Sequence, residues 1–116
     1  MTINDLITQL RCAPATIEFE QTMQVINQFY DYTATSFTNG ELLNKAGTNE
    51  GSCKIFYFAQ LNTLTELETL NLFGVYYRND VLENPEGADH GNIRNFMLTG
   101  WSGIKFDNLA LIKLAK

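Results

Sequence analysis

Apolar residues recur at helical spacing along most of this chain and alternate with polar ones in only a few short stretches. Ile3, Leu6, Ile7 and Leu10 fall on one face of a helix that Thr2 opens, with Asp5 placed to complete a capping box. Pro14 ends it. Thr16 is expected to cap a second helix whose inner face is Phe19, Met23, Ile26 and Phe29. Glu18 and Glu20 in its first turn suit the positive end of the helix dipole. From Tyr30 to Phe37 β-branched and aromatic residues predict a strand. Asn39-Gly40 is the strongest hairpin signal, because both turn residues would take positive φ. A short return strand through Leu42 and Leu43 follows, and Lys45 to Gly51 reads as a loop.

The run Ile55-Phe56-Tyr57-Phe58-Ala59 suits a buried strand or a buried helix equally by period, and a helix capped near Ser52 is the reading adopted. Thr65-x-x-Glu68 is a second capping box, opening a helix with Leu67, Leu70, Phe73 and Tyr77 inward and running to about Leu82. Asn84-Pro85-Glu86-Gly87 stops it. Asp89 is expected to cap a last helix carrying Ile93, Phe96 and Met97 and ending at Gly100. Ile104 and Phe106 alternate with Lys105 and Asp107 as a strand, which Asp107-Asn108 turns back into Leu109 to Leu114. The expected fold class is α+β, with about five helices packed on a small antiparallel sheet. Residues 1–116 suit one domain, long enough to bury a core without disulfides or metal.

Composition changes this picture little but narrows function. Hydrophobic residues are 45% and charged residues 18%, a globular balance. The net charge is −5, and the eight basic residues are scattered without a run. Nucleic acid and anionic membrane are therefore excluded as expected partners, and no apolar run has membrane length. Cys12 and Cys53 match no metal or disulfide spacing, so a reducing, cytoplasmic setting is the expectation.

Candidate chemistry gathers in two polar segments. In Asn49-Glu50-Gly51-Ser52-Cys53-Lys54, a helix starting at Ser52 would put Cys53 in the first turn, where free N–H groups and Lys54 favour a thiolate. His90, the only histidine, could serve as base, with Asn92, Asp89 or Asp107 to orient it. The alternative is that Cys53 is a small buried hydrophobe and His90 a capping neighbour. In Asn84 to Asn95, a metal site from Glu86, Asp89 and His90 is tempting. These donors are adjacent on a loop with no His/Cys pair at i, i+4, so no metal or cofactor is expected. A small-ligand pocket between the two segments would use Asn49, Asn92 and Arg94, with Arg94 on an anionic group; Gly51, Ser52 and Asp89 are further candidate binding residues. Tyr76, Tyr77, Arg78 and Trp101 are candidate interface anchors, or an aromatic lid over the core.

Several of these segments share a pattern: Phe37-Thr-Asn-Gly40, Asn49-Glu-Gly-Ser-Cys-Lys54, Phe73-Gly-Val-Tyr-Tyr-Arg78, Asn84-Pro-Glu-Gly-Ala-Asp-His90, Asn92-Ile-Arg-Asn-Phe96 and Gly100-Trp-Ser-Gly-Ile104. Together they resemble the HopJ family, named after a type III secreted effector of plant-pathogenic bacteria, from about Ile17 to Leu111. The resemblance implies a protein delivered into a host cell that perturbs host signalling, and it brings no catalytic residues or cofactor. The expected function is thus a non-catalytic binding or host-interaction protein with a protein or small-molecule partner. The alternative is a cysteine-dependent hydrolase or transferase using Cys53 and His90, with Asn92 as orienter.

Overall fold

The computed structural model describes residues 1–114. Helix α1 (Ile3–Cys12) starts on the capping box, with Asp5 N–H donating to Thr2 Oγ1 at 3.1 Å and Thr2 N–H to Asp5 Oδ2 at 2.9 Å. Helix α2 (Phe19–Phe29) begins later than the expected Thr16 cap. The Thr16 hydroxyl instead donates to the Ala13 carbonyl at 2.6 Å and closes a 3₁₀ turn over Pro14–Thr16. The inner stripe of α2 is also shifted: Thr22, Val25 and Ile26 are buried, whereas Phe19, Met23 and Phe29 are only partly so. Thr22 can enter the core because its hydroxyl donates to the Leu72 carbonyl at 2.9 Å.

The expected strand over Tyr30 to Phe37 is two strands in two sheets. Strand β1 (Tyr30–Tyr32) pairs antiparallel with β5 (Leu111–Lys113). Strand β2 (Phe37–Asn39) lies between β3 (Leu42–Asn44) and β4 (Ile104–Phe106), also antiparallel. Between the sheets, residues 33–36 and 107–110 run together: Asp107 N–H donates to the Ser36 carbonyl at 3.0 Å and Thr33 N–H to the Ala110 carbonyl at 2.9 Å. Asp107-Asn108 therefore carries the chain from one sheet to the other and does not fold β4 back on β5. At the β2–β3 hairpin Asn39 pairs with Leu42 across the turn, so the turn residues are Gly40 and Glu41. Only Gly40, at φ +62, needs the left-handed region there, which frees Asn39 to end the strand with its side chain fully buried.

Helix α3 (Glu50–Leu61) confirms the helical reading of the ambiguous run and starts at Glu50, ahead of Ser52. Ile55 to Ala59 are all buried, so α3 is the central helix and has no polar face for a period to reveal there. Phe56 sits among the rings of Phe37, Phe73 and Phe96, with centroids 6.1, 5.5 and 4.9 Å away. Helix α4 (Glu66–Asn71) opens on the Thr65–Glu68 box but does not continue to Leu82. The chain turns at Gly74, where φ is +64 and a Cβ would lie 2.8 Å from the Phe19 amide nitrogen. It resumes as a π-helical turn over Tyr76–Val81. Leu70, Phe73 and Tyr77 face inward as expected, but Leu67 is 61% exposed. Helix α5 (Gly91–Thr99) ends at Gly100, φ +60, as expected, while Met97 on it is exposed. Helices around two small antiparallel sheets make the fold α+β.

Candidate functional site

The two polar segments meet. Helices α3 and α5 each start from a residue in the left-handed region, Asn49 (φ 50, ψ 45) and His90 (φ 52, ψ 51), and neither side chain caps its helix. Asp89, expected as the α5 cap, lies one residue too early. The first backbone bonds into the helices are Cys53 N–H to the Asn49 carbonyl at 3.0 Å and Arg94 N–H to the His90 carbonyl at 3.1 Å. The N–H groups of Gly51, Ser52, Gly91, Asn92 and Ile93 therefore have no acceptor among the described residues. A cavity of about 330 Å³ opens between these two helix starts. Phe19, Phe73, Tyr76 and Ile93 form its apolar wall; Asn49, Gly51, Ser52, His90, Gly91 and Asn92 form its polar one. A Cβ on Gly51 would stand 2.9 Å from the tip of the Phe19 ring and would push that ring aside.

Asparagines fix the spacing of the two helix starts. Asn44, at the end of β3, receives Asn49 Nδ2 at 2.7 Å and Asn92 Nδ2 at 2.9 Å on its Oδ1, and donates its own Nδ2 to Asn92 Oδ1 at 3.0 Å. Asn39 Nδ2 donates to the Asn92 carbonyl at 2.7 Å and to Asn92 Oδ1 at 3.1 Å, and Asn95 Nδ2 donates to the Asn39 carbonyl at 3.1 Å. Asn39 Oδ1 is buried without a partner among the described residues. The β2–β3 hairpin thus holds both helix starts through one buried amide cluster.

His90 pairs with an acid that sequence reasoning missed. Its Nε2 lies 2.9 Å from Asp80 Oδ2 and 3.8 Å from Asp89 Oδ2. The ring stacks on Tyr76 at 5.1 Å, and Tyr76 in turn meets Phe19 edge-on at 5.0 Å. Asp89 is held by Arg94, whose Nη2 is 2.7 Å from Oδ1, and that hydrogen bond keeps the carboxyl below its ordinary range. Arg94 also donates to the Asp89 carbonyl at 2.6 Å and the Asn84 carbonyl at 2.9 Å. It is a clasp for the loop before α5, away from the cavity, and so does not serve as the anion contact the sequence suggested. Asp80, Asp89 and His90 bring three donor atoms within 4.8 Å of one another, with Asp80 where the sequence offered Glu86. One of those carboxylates already carries the Arg94 guanidinium.

Cys53 stands apart. Because α3 starts at Glu50, Cys53 is rotated past the open end into the core, 1% exposed, with its sulfur 4.0 Å from the Thr35 carbonyl. Burial pushes its thiol above the ordinary range, with Tyr32 and Thr35 hydrogen bonds opposing it. It does not line the cavity, and it shares no hydrogen bond with His90. Asn92 turns into the amide cluster and does not orient the imidazole. The alternative dyad is therefore not assembled. Of the proposed anchors, Tyr77 is a core residue, Arg78 is spent on the Pro14 and Ile17 carbonyls, and Trp101 donates to the Leu64 carbonyl at 3.2 Å as a lid on Phe96. Tyr76 is the member of the tyrosine pair that reaches the cavity.

The family model described as HopJ type III effector protein matches residues 3–111. No curated protein matches the chain. Among solved structures, one described as "Crystal structure of unknown function protein VPA0580" is 51% identical, with a TM-score of 0.96 over 98% of this chain and 95% of that one. Among the described residues no helix is long and apolar enough to cross a membrane.

Proposed function

The chain belongs to the HopJ family, and we propose that it is a binding protein whose cavity between the starts of α3 and α5 takes a small molecule with an apolar body and an anionic or strongly electron-rich oxygen. One observation carries this reading: Phe19, Phe73 and Tyr76 line the same cavity as Gly51, Ser52, Gly91 and Asn92, whose N–H groups have no acceptor among the described residues. Apolar burial would supply affinity, and the N–H groups with two helix dipoles behind them would fix the oxygen end. Of the nearby carboxylates, Asp89 is offset by the Arg94 guanidinium and Asp80 is engaged by His90 Nε2. The whole chain, 1–116, acts as one HopJ-like domain in this reading. The family description supports delivery into a host cell by type III secretion, which a translocation reporter fused to the chain would detect.

The binding test is an amide NMR titration with aryl and alkyl carboxylates and phosphates. A ligand should shift Gly51, Ser52, Gly91 and Asn92 together and saturably, and raise Tm by mass action, with about 2.7 kcal/mol of added stability at a hundredfold excess over Kd. Shifts scattered over the surface, or none across the panel, would refute it.

A further inference from the structure

We propose that this cavity hydrolyses small carboxylic esters, with His90 as the general base and Asp80 as the residue that positions it. The proposal rests on the reading that the cavity binds a small molecule. An imidazole held at Nε2 by an ionised carboxylate keeps its proton there and presents Nδ1 as a lone pair. His90 has this arrangement: Asp80 Oδ2 is 2.9 Å from Nε2, and Nδ1 has no partner among the described residues. The ring is also restrained, since it stacks on Tyr76 and its backbone is held as the left-handed residue that opens α5. Non-glycine residues with φ near +50 are costly unless their surroundings enforce them.

The other half of the machinery is the set of N–H groups. Those of Gly51, Ser52, Gly91 and Asn92 belong to two helix starts that line the cavity together with Phe19, Phe73 and Tyr76. They suit an oxyanion bearing one negative charge. Phosphoryl transfer leans on lysine, arginine or a metal to carry more charge, and among the described residues no Lys or Arg lines this cavity. Cys53 supplies no thiolate, so water is the nucleophile. Its proton passes to His90 Nδ1 as its oxygen bonds the carbonyl carbon, and the C=O π pair moves onto oxygen among the N–H groups. Collapse re-forms C=O and breaks the bond to the alcohol oxygen, which takes the proton from Nδ1. Ester and water become alcohol, carboxylate and a released proton, and Asp80 stays ionised throughout. The carboxylate product is the ligand class that the binding reading expects on the same N–H groups.

The test uses the full chain with p-nitrophenyl esters of short acids. Wild type should show saturable turnover. The groups facing the His90 ring are Asp80 and Tyr76 from the π-helical turn and Asp89 beside it, while α3 presents no charged side chain to the cavity. His90→Asn, whose side chain tolerates positive φ, should lose about 10²–10⁴-fold in kcat/KM. His90→Gly should regain rate when imidazole is added, which a structural role would not give. Asp80→Asn should lower kcat more than it changes KM, and Cys53→Ala should keep the rate; Tm of each variant checks folding. Turnover no faster than in His90→Asn overturns the proposal. If carboxylates still shift the Gly51, Ser52, Gly91 and Asn92 amides while esters are not turned over, hydrolysis falls and binding stands; if neither occurs, both fall.

Discussion

Replacing Asn44 by alanine is the sharpest probe of how the cavity is built. The substitution removes three hydrogen bonds, two of them in the amide pair with Asn92, where both residues are under 10% exposed. Asn92 Oδ1 keeps the Asn39 donor, and the exposed Asn49 can turn to water. Asn92 Nδ2 has no such recourse and is stranded in the interior. A buried hydrogen bond contributes roughly 1 kcal/mol net, and a stranded buried donor costs about 1–3 kcal/mol. The expected loss is about 3 kcal/mol, or roughly 10–15 °C in Tm for a domain of this size. Asn49→Gly is the matched control. It removes one bond of the same cluster, at 2.7 Å, while keeping a residue that accepts φ +50, and should cost no more than about 1 kcal/mol. Urea denaturation of both variants with comparison of midpoints at unchanged m is the assay. If Asn44→Ala falls within about 1 kcal/mol of wild type, or Asn49→Gly costs as much as it does, the cluster does not hold the helix starts as argued.

Cys12 is exposed and Cys53 buried with a raised thiol pKa, so native protein should react rapidly with one equivalent of a thiol reagent at neutral pH and with the second only on unfolding. Gly74→Ala should cost about 2–4 kcal/mol by thermal melt, since it forces φ +64 on an L-residue and drives a methyl against the backbone of Glu18 and Phe19. Glu68 is held below its ordinary range by the Thr65 N–H and then by Arg11, so its contribution is present at neutral pH and lost as pH falls through the carboxylate range to the folded value. Glu68→Gln should flatten that acid limb by a few tenths of a kcal/mol, as expected for a largely solvated pair, in denaturation midpoints followed against pH.

Local chemistry made much of this readable in advance. Capping boxes at Thr2 and Thr65 and the glycine stop at Gly100 are decided within a few residues, and they appear where the pattern put them. What failed depended on distant partners. Nothing near Tyr30 to Phe37 indicates that its two ends pair with different C-terminal strands, and nothing before Gly74 shows that α2 will press on it. For the site, the two polar segments are visible in the sequence and do converge, through Gly51 and Ser52 at the start of α3, while Cys53 is the small buried hydrophobe of the alternative reading. A two-residue error in where α3 starts moves Cys53 from the open end into the core. Asn39 was hidden because its turn propensity explained it away, and Asp80 because it looked like one more exposed acid on a helix. Buried amides at strand ends are the signal that could have exposed the cluster.

The switch of strands between sheets also fixes an order of events. Tyr30 must wait for Lys113, and Phe37 for Phe106, so neither N-terminal strand can acquire those partners until β4 and β5 have been made. Such pairings carry a large loop-closure entropy and slow folding. On a ribosome the helices and the β2–β3 hairpin can form early, but β1 stays unpaired and β2 keeps an open edge until β4 and β5 have been made. Strand β5 is then less an appendage than a latch: a chain cut before Leu111 would lose the β1–β5 pairing.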